Sequence, residues 1–335
     1  MTVLITGGAG FVGLNIAEQL LSAGESVVSY GLEQPPAMAR AAFEKLPGRL
    51  SVTVGDVRDG ALLLETMRKH EVRNVVHGAA ITAGLAREAT QAALIAAVNL
   101  GGTIELLEAA LQHGVGRVVQ LGTGSVFGAR VKTEGLLDEE ADVPVPDSLY
   151  GITKYAAERT ALRYRATRGL DVVVGRVGVA FGRWEYDTSV RDTLSIPLAL
   201  AALAESGAHA AFCDQIPNDW VYATDVAHAV LRLLRAPSTP SPVYHIATGR
   251  RWSAKSWCER LRAVYPSFTY EVVRDVADAN VGKLIPVPRP PFSISRLQAD
   301  TGYQPHFDEA HAFADYLAWR REAAAHFQSH HTSRS

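Results

Sequence analysis

In the stretch YGITK, Tyr150 and Lys154 stand four residues apart. On a helix that spacing puts a phenol and an ammonium on one face, one turn apart. A phenol titrates near about 10 and is a poor base at neutral pH, but a neighbouring cation favours the phenolate and lowers that value. Such a tyrosine can take or give a proton while hydride moves to or from a cofactor. Y-x-x-x-K also arises by chance on exposed helices, so it needs company. Thr123 and Ser125, in VVQLGTGSVFG, end a buried-strand pattern and could hold a substrate oxygen at the carboxyl edge of a sheet, where α/β proteins bind ligands. Asn99, in AAVNLGGT, falls inside a helical pattern, either exposed or bound to backbone or a water.

A second group could hold the cofactor. Gly7, Gly10 and Gly13 form G-x-x-G-x-x-G between an apolar run and a helical pattern. Gly7 permits the tight turn, Gly10 lets backbone approach a pyrophosphate, and Gly13 lets the helix pack on the strand. The anion would rest on N–H groups at the helix N-terminus. The carboxylate that usually meets the ribose hydroxyls at the end of the second strand is replaced by Gly31; Glu33 follows two residues later and Arg40 is the nearest arginine. NAD versus NADP stays open, with a slight lean to NAD. Asp56, in VGDVRD, suits an adenine contact or a helix N-cap.

These groups need a scaffold. Strand-length apolar runs at 2–6, 26–30, 50–54, 74–78, 117–121 and 172–176 alternate with helical patterns at 11–23, 59–70, 86–113 and 149–168. That alternation predicts a Rossmann-type doubly wound α/β fold with a parallel sheet. Beyond residue 176, helical stretches at 194–206, 224–235, 254–264 and 307–326 mix with proline-rich loops such as IPVPRPPF. The expected division is a dinucleotide-binding domain, 1–176, a smaller C-terminal α/β substrate lobe, 177–328, with the chain free to cross between them, and a flexible tail, 329–335.

The 335 residues, 47% hydrophobic and 20% charged with net charge −2, fit an ordinary globular protein and give no reason to expect nucleic acid. No continuous apolar run approaches the roughly 20 residues that span a bilayer, so no membrane partner is expected. Two distant cysteines, Cys213 and Cys258, without a Cys/His cluster, point away from zinc and towards a reducing cytoplasm.

Several motifs in this order carry a resemblance: TGGAGFVG, GDVRD, VVHGAA, Asn99 with GGT, GTGSVFG, YGITK, NDWVYATDVAHAV and LQADTGYQP. The chain resembles an extended short-chain dehydrogenase/reductase, the group often called the NAD-dependent epimerase/dehydratase family, from Met1 to about Trp319. The resemblance implies that Tyr150 is the acid/base and that Lys154 binds the nicotinamide ribose and depresses the tyrosine pKa. Thr123 takes the place of the family's catalytic serine or threonine, with Ser125 as runner-up, and Asn99 belongs to the supporting helix. Gly7, Gly10, Gly13 and Asp56 bind the dinucleotide, and Phe11, Val12, Val57, Ala79, Ala80 and Val177 complete the expected cofactor contacts. A homodimer through the helices at 86–113 and 149–168 is also implied.

The departures bear on the substrate. Nucleotide-sugar enzymes of this family usually carry R-x-x-N-V-Y-G-P after the sixth strand; here RVGVAFGRW has Val179 for the asparagine and Arg183 for the proline. Asn218 replaces a later arginine, and of an arginine-glycine-aspartate near the end only Arg289 remains. Thr82, Arg183, Trp184, Arg191 and Arg289 are the expected substrate contacts, since arginine forks bind carboxylates and phosphates and aromatics such as Trp184 or Tyr186 can cover a ring. The competing expectation is a surface loop with internal ion pairs through Asp187 and Asp192. The leading expectation is hydride transfer at a secondary alcohol or ketone of a polar, sugar-like molecule. A nucleotide-sugar epimerase or dehydratase, and a non-catalytic NAD(P) sensor, are the alternatives.

Overall fold

The run after Met1 becomes β1 (Thr2–Thr6), and the glycine turn leads into α1 (Phe11–Ser22) and β2 (Ser26–Gly31). There follow α2 (Ala37–Phe43), β3 (Arg49–Val54), α3 (Gly60–Lys69), β4 (Asn74–His77) and α4 (Leu85–Ala96). A π-helical turn, Ala97–Gly101, joins α4 to α5 (Gly102–His113), ahead of β5 (Arg117–Thr123), α6 (Leu149–Arg168) and β6 (Val172–Val177). The second half holds β7 (Val179–Phe181), α7 (Ile196–Ser206), β8 (His209–Cys213), β9 (Trp220–Tyr222), α8 (Ala223–Arg235) and β10 (Val243–Ile246). It ends in α9 (Ala254–Val264), β11 (Thr269–Val273), α10 (Ser295–Thr301) and α11 (Glu309–His331). This computed structural model describes residues 1–129, 132, 134–186, 192, 194–213, 219–282 and 290–331, with side chains in α11 described to Ala323.

Seven strands form one parallel sheet in the order β10-β6-β5-β4-β1-β2-β3. This is the expected doubly wound architecture. Parallel strands need both faces covered, and two cores do so. On one face α1 and α8 bury Leu14, Leu20, Val226 and Val230; on the other α3, α5 and α6 bury Leu63, Met67, Leu107 and Ala161.

The seventh strand comes from the second half of the chain. β10 pairs with β6 in register Val243↔Val174, so the chain returns to the sheet after the 176 boundary. The rest of that half makes two short parallel pairs, β7·β9 and β8·β11, around an aromatic cluster of Phe181, Trp220, Trp252 and Trp257. Buried Asp219 ties the lobe together, accepting from Thr248 Oγ1 at 3.0 Å and from the Phe292 N–H at 2.7 Å.

One expectation about length needs correcting. Leu85–His113 forms one 29-residue helix, long and apolar enough by length and composition to cross a membrane. Polar residues such as Glu88, Asn99 and Glu105 break its apolar run in sequence. In the fold it packs against α3 and α6, with Ile95, Leu106 and Leu107 in contact with the core.

Candidate functional site

The glycine turn is shaped by close approach. Gly7 has φ +70°, and a Cβ there would sit 3.0 Å from the Ala79 nitrogen. A Cβ on Gly13 would lie 2.2 Å from the Gly7 carbonyl oxygen, so α1 can press on the turn only without a side chain. Gly10 caps α1 with no side-chain hydrogen bond. Glycine at the N-cap brings no side chain of its own onto the first turn, which suits a pyrophosphate there. Phe11 is buried and Val12 half-buried. Ala79 and Ala80 are half-buried in the loop after β4, where the Ala79 N–H reaches Thr6 Oγ1 at 3.3 Å.

Gly31 ends β2, as the spacing implied, and a Cβ built on it would sit 4.0 Å from Gly7. Asp56 is not the N-cap of α3; Asp59 is, accepting the Leu62 N–H at 2.9 Å. Instead the Arg58 guanidinium clasps Asp56 at 2.6 Å and holds its carboxyl below the usual range. Val57 is buried with its Cγ1 against Gly102, a contact that joins the β3 loop to α5.

Beyond β5 the chain turns tightly. Thr123 Oγ1 accepts the Ser125 N–H at 3.2 Å and donates to Ser125 Oγ at 3.3 Å, so both hydroxyls sit together at the carboxyl edge. Val177, at the end of β6, is the register partner of Thr123. The first turn of α6 lies on this edge: a Cβ on Gly151 would come 2.6 Å from the Ser125 carbonyl oxygen. One turn on, buried Lys154 donates from Nζ to the Leu121 carbonyl at 2.6 Å. Burial pulls its pKa down to about 8, partly opposed by Glu158.

Asn99 is buried in the π-helical turn and does structural work. Its Oδ1 accepts the Ile81 N–H at 2.8 Å, and its Nδ2 donates to the Ile81 carbonyl and to Thr153 Oγ1, both at 3.1 Å. It thereby joins the loop after β4 to the residue preceding Lys154. These bonds make it a positioning residue for that part of α6.

Sequence reasoning missed two supports. His77 lies between Thr6 Oγ1 at 2.7 Å and Thr103 Oγ1 at 2.9 Å, and burial with the nearby Lys154 charge pulls its pKa to about 3. Glu88 on α4 accepts from the first N–H groups of α6. Neither has a spacing signal, because both partners lie far away in sequence.

The expected substrate contacts divide. Arg183 is spent elsewhere: its Nε donates to Asp315 Oδ2 at 2.8 Å, Nη2 pairs with Asp315 Oδ1, and Glu18 lies 3.9 Å away. Trp184 is buried between Phe43 and Trp319, with its indole N–H on Glu18. These two clamp α1 to α11, which corrects the expectation that they meet substrate. Tyr186 instead reaches the glycine turn, donating to the Ala9 carbonyl at 3.4 Å. Thr82 accepts the Asp192 N–H through its carbonyl at 3.2 Å, and Asp192 pairs with Arg87 at 2.6 Å. Asp192 is thus ion-paired, but to Arg87 on α4 and not within its own loop. Arg191, Arg289, Asn218 and Asp187 lie outside the described residues.

The chain is similar to the dTDP-glucose 4,6-dehydratase of Streptomyces antibioticus, 28% identical over 97% of this chain and 94% of that protein. Its fold matches UDP-glucose 4-epimerase of Thermotoga maritima with TM-score 0.80 at 21% identity, covering 97% of this chain and all of that one (100%). The dTDP-glucose 4,6-dehydratase DesIV of Streptomyces venezuelae, solved with NAD bound, matches with TM-score 0.78 at 25% identity over 96% and 97% of the two chains. A model of the NAD dependent epimerase/dehydratase family matches residues 3–247. The glycine cradle, the buried Lys154 below Tyr150 and this match agree: the chain belongs to the NAD dependent epimerase/dehydratase family and is an enzyme of NAD-dependent hydride transfer.

Proposed function

We propose that the enzyme transfers hydride between NAD and a secondary alcohol or ketone of a polar, sugar-like substrate. The observation that carries this is Lys154, one helical turn from Tyr150, whose buried ammonium is anchored on the Leu121 carbonyl, two residues before Thr123 at the end of β5. When bound, NAD supplies the hydride acceptor. Tyr150 Oη takes the substrate hydroxyl proton, Lys154 stabilises the phenolate and holds the nicotinamide ribose, and Thr123 hydrogen-bonds the substrate oxygen. The turn from Gly7 to Gly13 holds the pyrophosphate on the N-terminus of α1. NAD rather than NADP is supported by the relative solved with NAD.

A dehydration would need further acid and base groups, and the residues beside Thr123 are Gly124 and Ser125, not carboxylates. The similar nucleotide-sugar enzymes favour a second reading, an epimerase in which hydride leaves and returns. Val179 speaks against a nucleoside diphosphate, because its side chain has no hydrogen-bonding group. Leu94, Ile104 and Ile152 are exposed on α4, α5 and α6, which supports a homodimer through that face. Two buried free thiols, Cys213 and Cys258, suit a reducing cytoplasm.

The test is a screen of polyols, sugar acids and nucleotide sugars with NAD, reading NADH absorbance together with product stereochemistry. Net NADH formation supports the dehydrogenase, whereas epimerised product without NADH overturns it. Tyr150→Phe should lower turnover at least about a hundredfold with cofactor binding kept. Near-normal turnover would remove the tyrosine from the mechanism.

A further inference from the structure

On the face of the sheet covered by α1 and α8, α8 carries Asp225 and His228 three residues apart, so both project from one side of its first turns. The turn before α11 brings His306 to them. Asp225 is fully buried; its Oδ1 accepts the His306 N–H at 2.8 Å and its Oδ2 the Phe307 N–H at 3.1 Å. The two imidazoles stack, with centroids 4.1 Å apart and 29° between planes. One oxygen of Asp225 and one ring nitrogen from each histidine all lie within 4.8 Å of one another.

His228 adds an independent observation. Its Nδ1 is buried and has no hydrogen-bond partner among the described residues, while Nε2 accepts from Arg232 Nε at 3.4 Å. A buried polar atom left unpaired is costly, so it calls for an explanation. The Asp225 oxygens each keep a further lone pair beyond their single backbone bond.

We propose that Asp225, His228 and His306 form a binding site for a divalent first-row transition ion of the zinc class, with water in the fourth position. Two imidazoles and one carboxylate suit such an ion, whereas calcium and magnesium take oxygen ligands. With bonds of about 2.0–2.1 Å, a tetrahedral shell needs ligand atoms roughly 3.4 Å apart, so the widest pair closes by at most about 1.4 Å. His306 is exposed and can supply that movement by swinging off the stack. Coordination through Nδ1 of His228 places its proton on Nε2, facing Arg232; that arginine is exposed and turns to solvent. The ion pins the turn ahead of α11 to α8, which packs on α1 behind the glycine cradle. Its role is structural, and the proposal does not depend on which substrate the enzyme turns over.

The experiment titrates the untagged full-length protein with cobalt(II) chloride, reading the visible absorption of four-coordinate cobalt and the melting temperature. The expected result is one equivalent of four-coordinate cobalt, displaced by zinc, with a melting temperature that rises with metal concentration. His306→Phe keeps a ring stacked on His228 but removes the ligand, and should weaken binding at least about tenfold, as should His228→Gln. Arg232→Leu should tighten it. Metal-free melting curves of the variants confirm that they fold. Absence of bound cobalt, or affinity unchanged in both histidine variants, overturns the proposal; the latter would move the ion to histidines elsewhere, such as His330 and His331.

Discussion

The Glu88 carboxylate on α4 accepts the Leu149 N–H at 2.9 Å and reaches the Tyr150 N–H at 3.4 Å with the same oxygen, Oε1. Ser148 caps the same helix by accepting the Gly151 N–H at 3.1 Å. An anion at a helix N-terminus is favourable, and here it also fixes the backbone of the proposed acid/base. Its charge works against the phenolate, because a nearby anion disfavours a second one.

Glu88→Ala is therefore expected to lower stability by about 1 kcal/mol, as cap losses do, and to lower kcat with little change in KM. Glu88→Gln keeps an oxygen acceptor and should restore most of kcat. Both variants remove the charge, so both should move the acidic limb of the kcat/KM profile to lower pH. Equal kcat in the two variants and the parent enzyme would show that this contact does not position Tyr150.

Lys154 makes a prediction about pH and stability. Burial lowers its pKa from 10.5 unfolded to about 8 folded. Between those values the unfolded chain binds more protons, so the lysine's contribution to stability rises with pH across that window. Below about 8 the folded protein carries the full cost of the buried ammonium. Lys154→Met removes the titration. Its stability relative to the parent, from urea unfolding, should fall as the pH is raised through the window. A difference that does not change with pH would contradict the assignment.

Much of this site was legible because its signals are local. The spacing of Gly7, Gly10 and Gly13 after a strand, and of Tyr150 and Lys154 on one helix face, depends only on short-range geometry. What was not legible depends on partners far along the chain. Nothing near Arg183 announces that Asp315, 132 residues later, claims its guanidinium. His306 is likewise 78 residues from His228, so neither suggests a metal in sequence. β10 escaped notice because four residues, VYHI, after a proline loop carry too little pattern to be told from a core segment. α2, seven residues with Pro36 at its N-cap, was hidden by its shortness.

Gly31 supplies a cofactor prediction. It ends β2 beside the turn, and a Cβ there meets nothing closer than 4.0 Å, so a side chain fits. Gly31→Asp should raise the preference for NAD over NADP, since a carboxylate accepts from the ribose 2′-hydroxyl and repels a 2′-phosphate. The ratio of kcat/KM for the two cofactors, before and after the change, measures it. An unchanged ratio would mean that the ribose does not reach the end of β2.

Val179 carries the last prediction. It lies in β7, paired with Trp220, where an asparagine would meet a diphosphate in the nucleotide-sugar enzymes that this chain resembles. Valine offers no hydrogen bond there, and Asn218 brings no positive charge where those enzymes have arginine. Hydrogen bonds to charged groups contribute about 1.5–3 kcal/mol each. Losing two weakens binding by roughly a hundredfold or more. UDP and UDP-glucose should therefore bind the NAD-loaded enzyme more weakly than about millimolar. Calorimetry measures this directly, and Val179→Asn should strengthen UDP-glucose binding if the pocket otherwise keeps the shape of its relatives. Micromolar binding by the parent enzyme would instead mean that other residues hold the diphosphate, and the epimerase reading would replace the dehydrogenase.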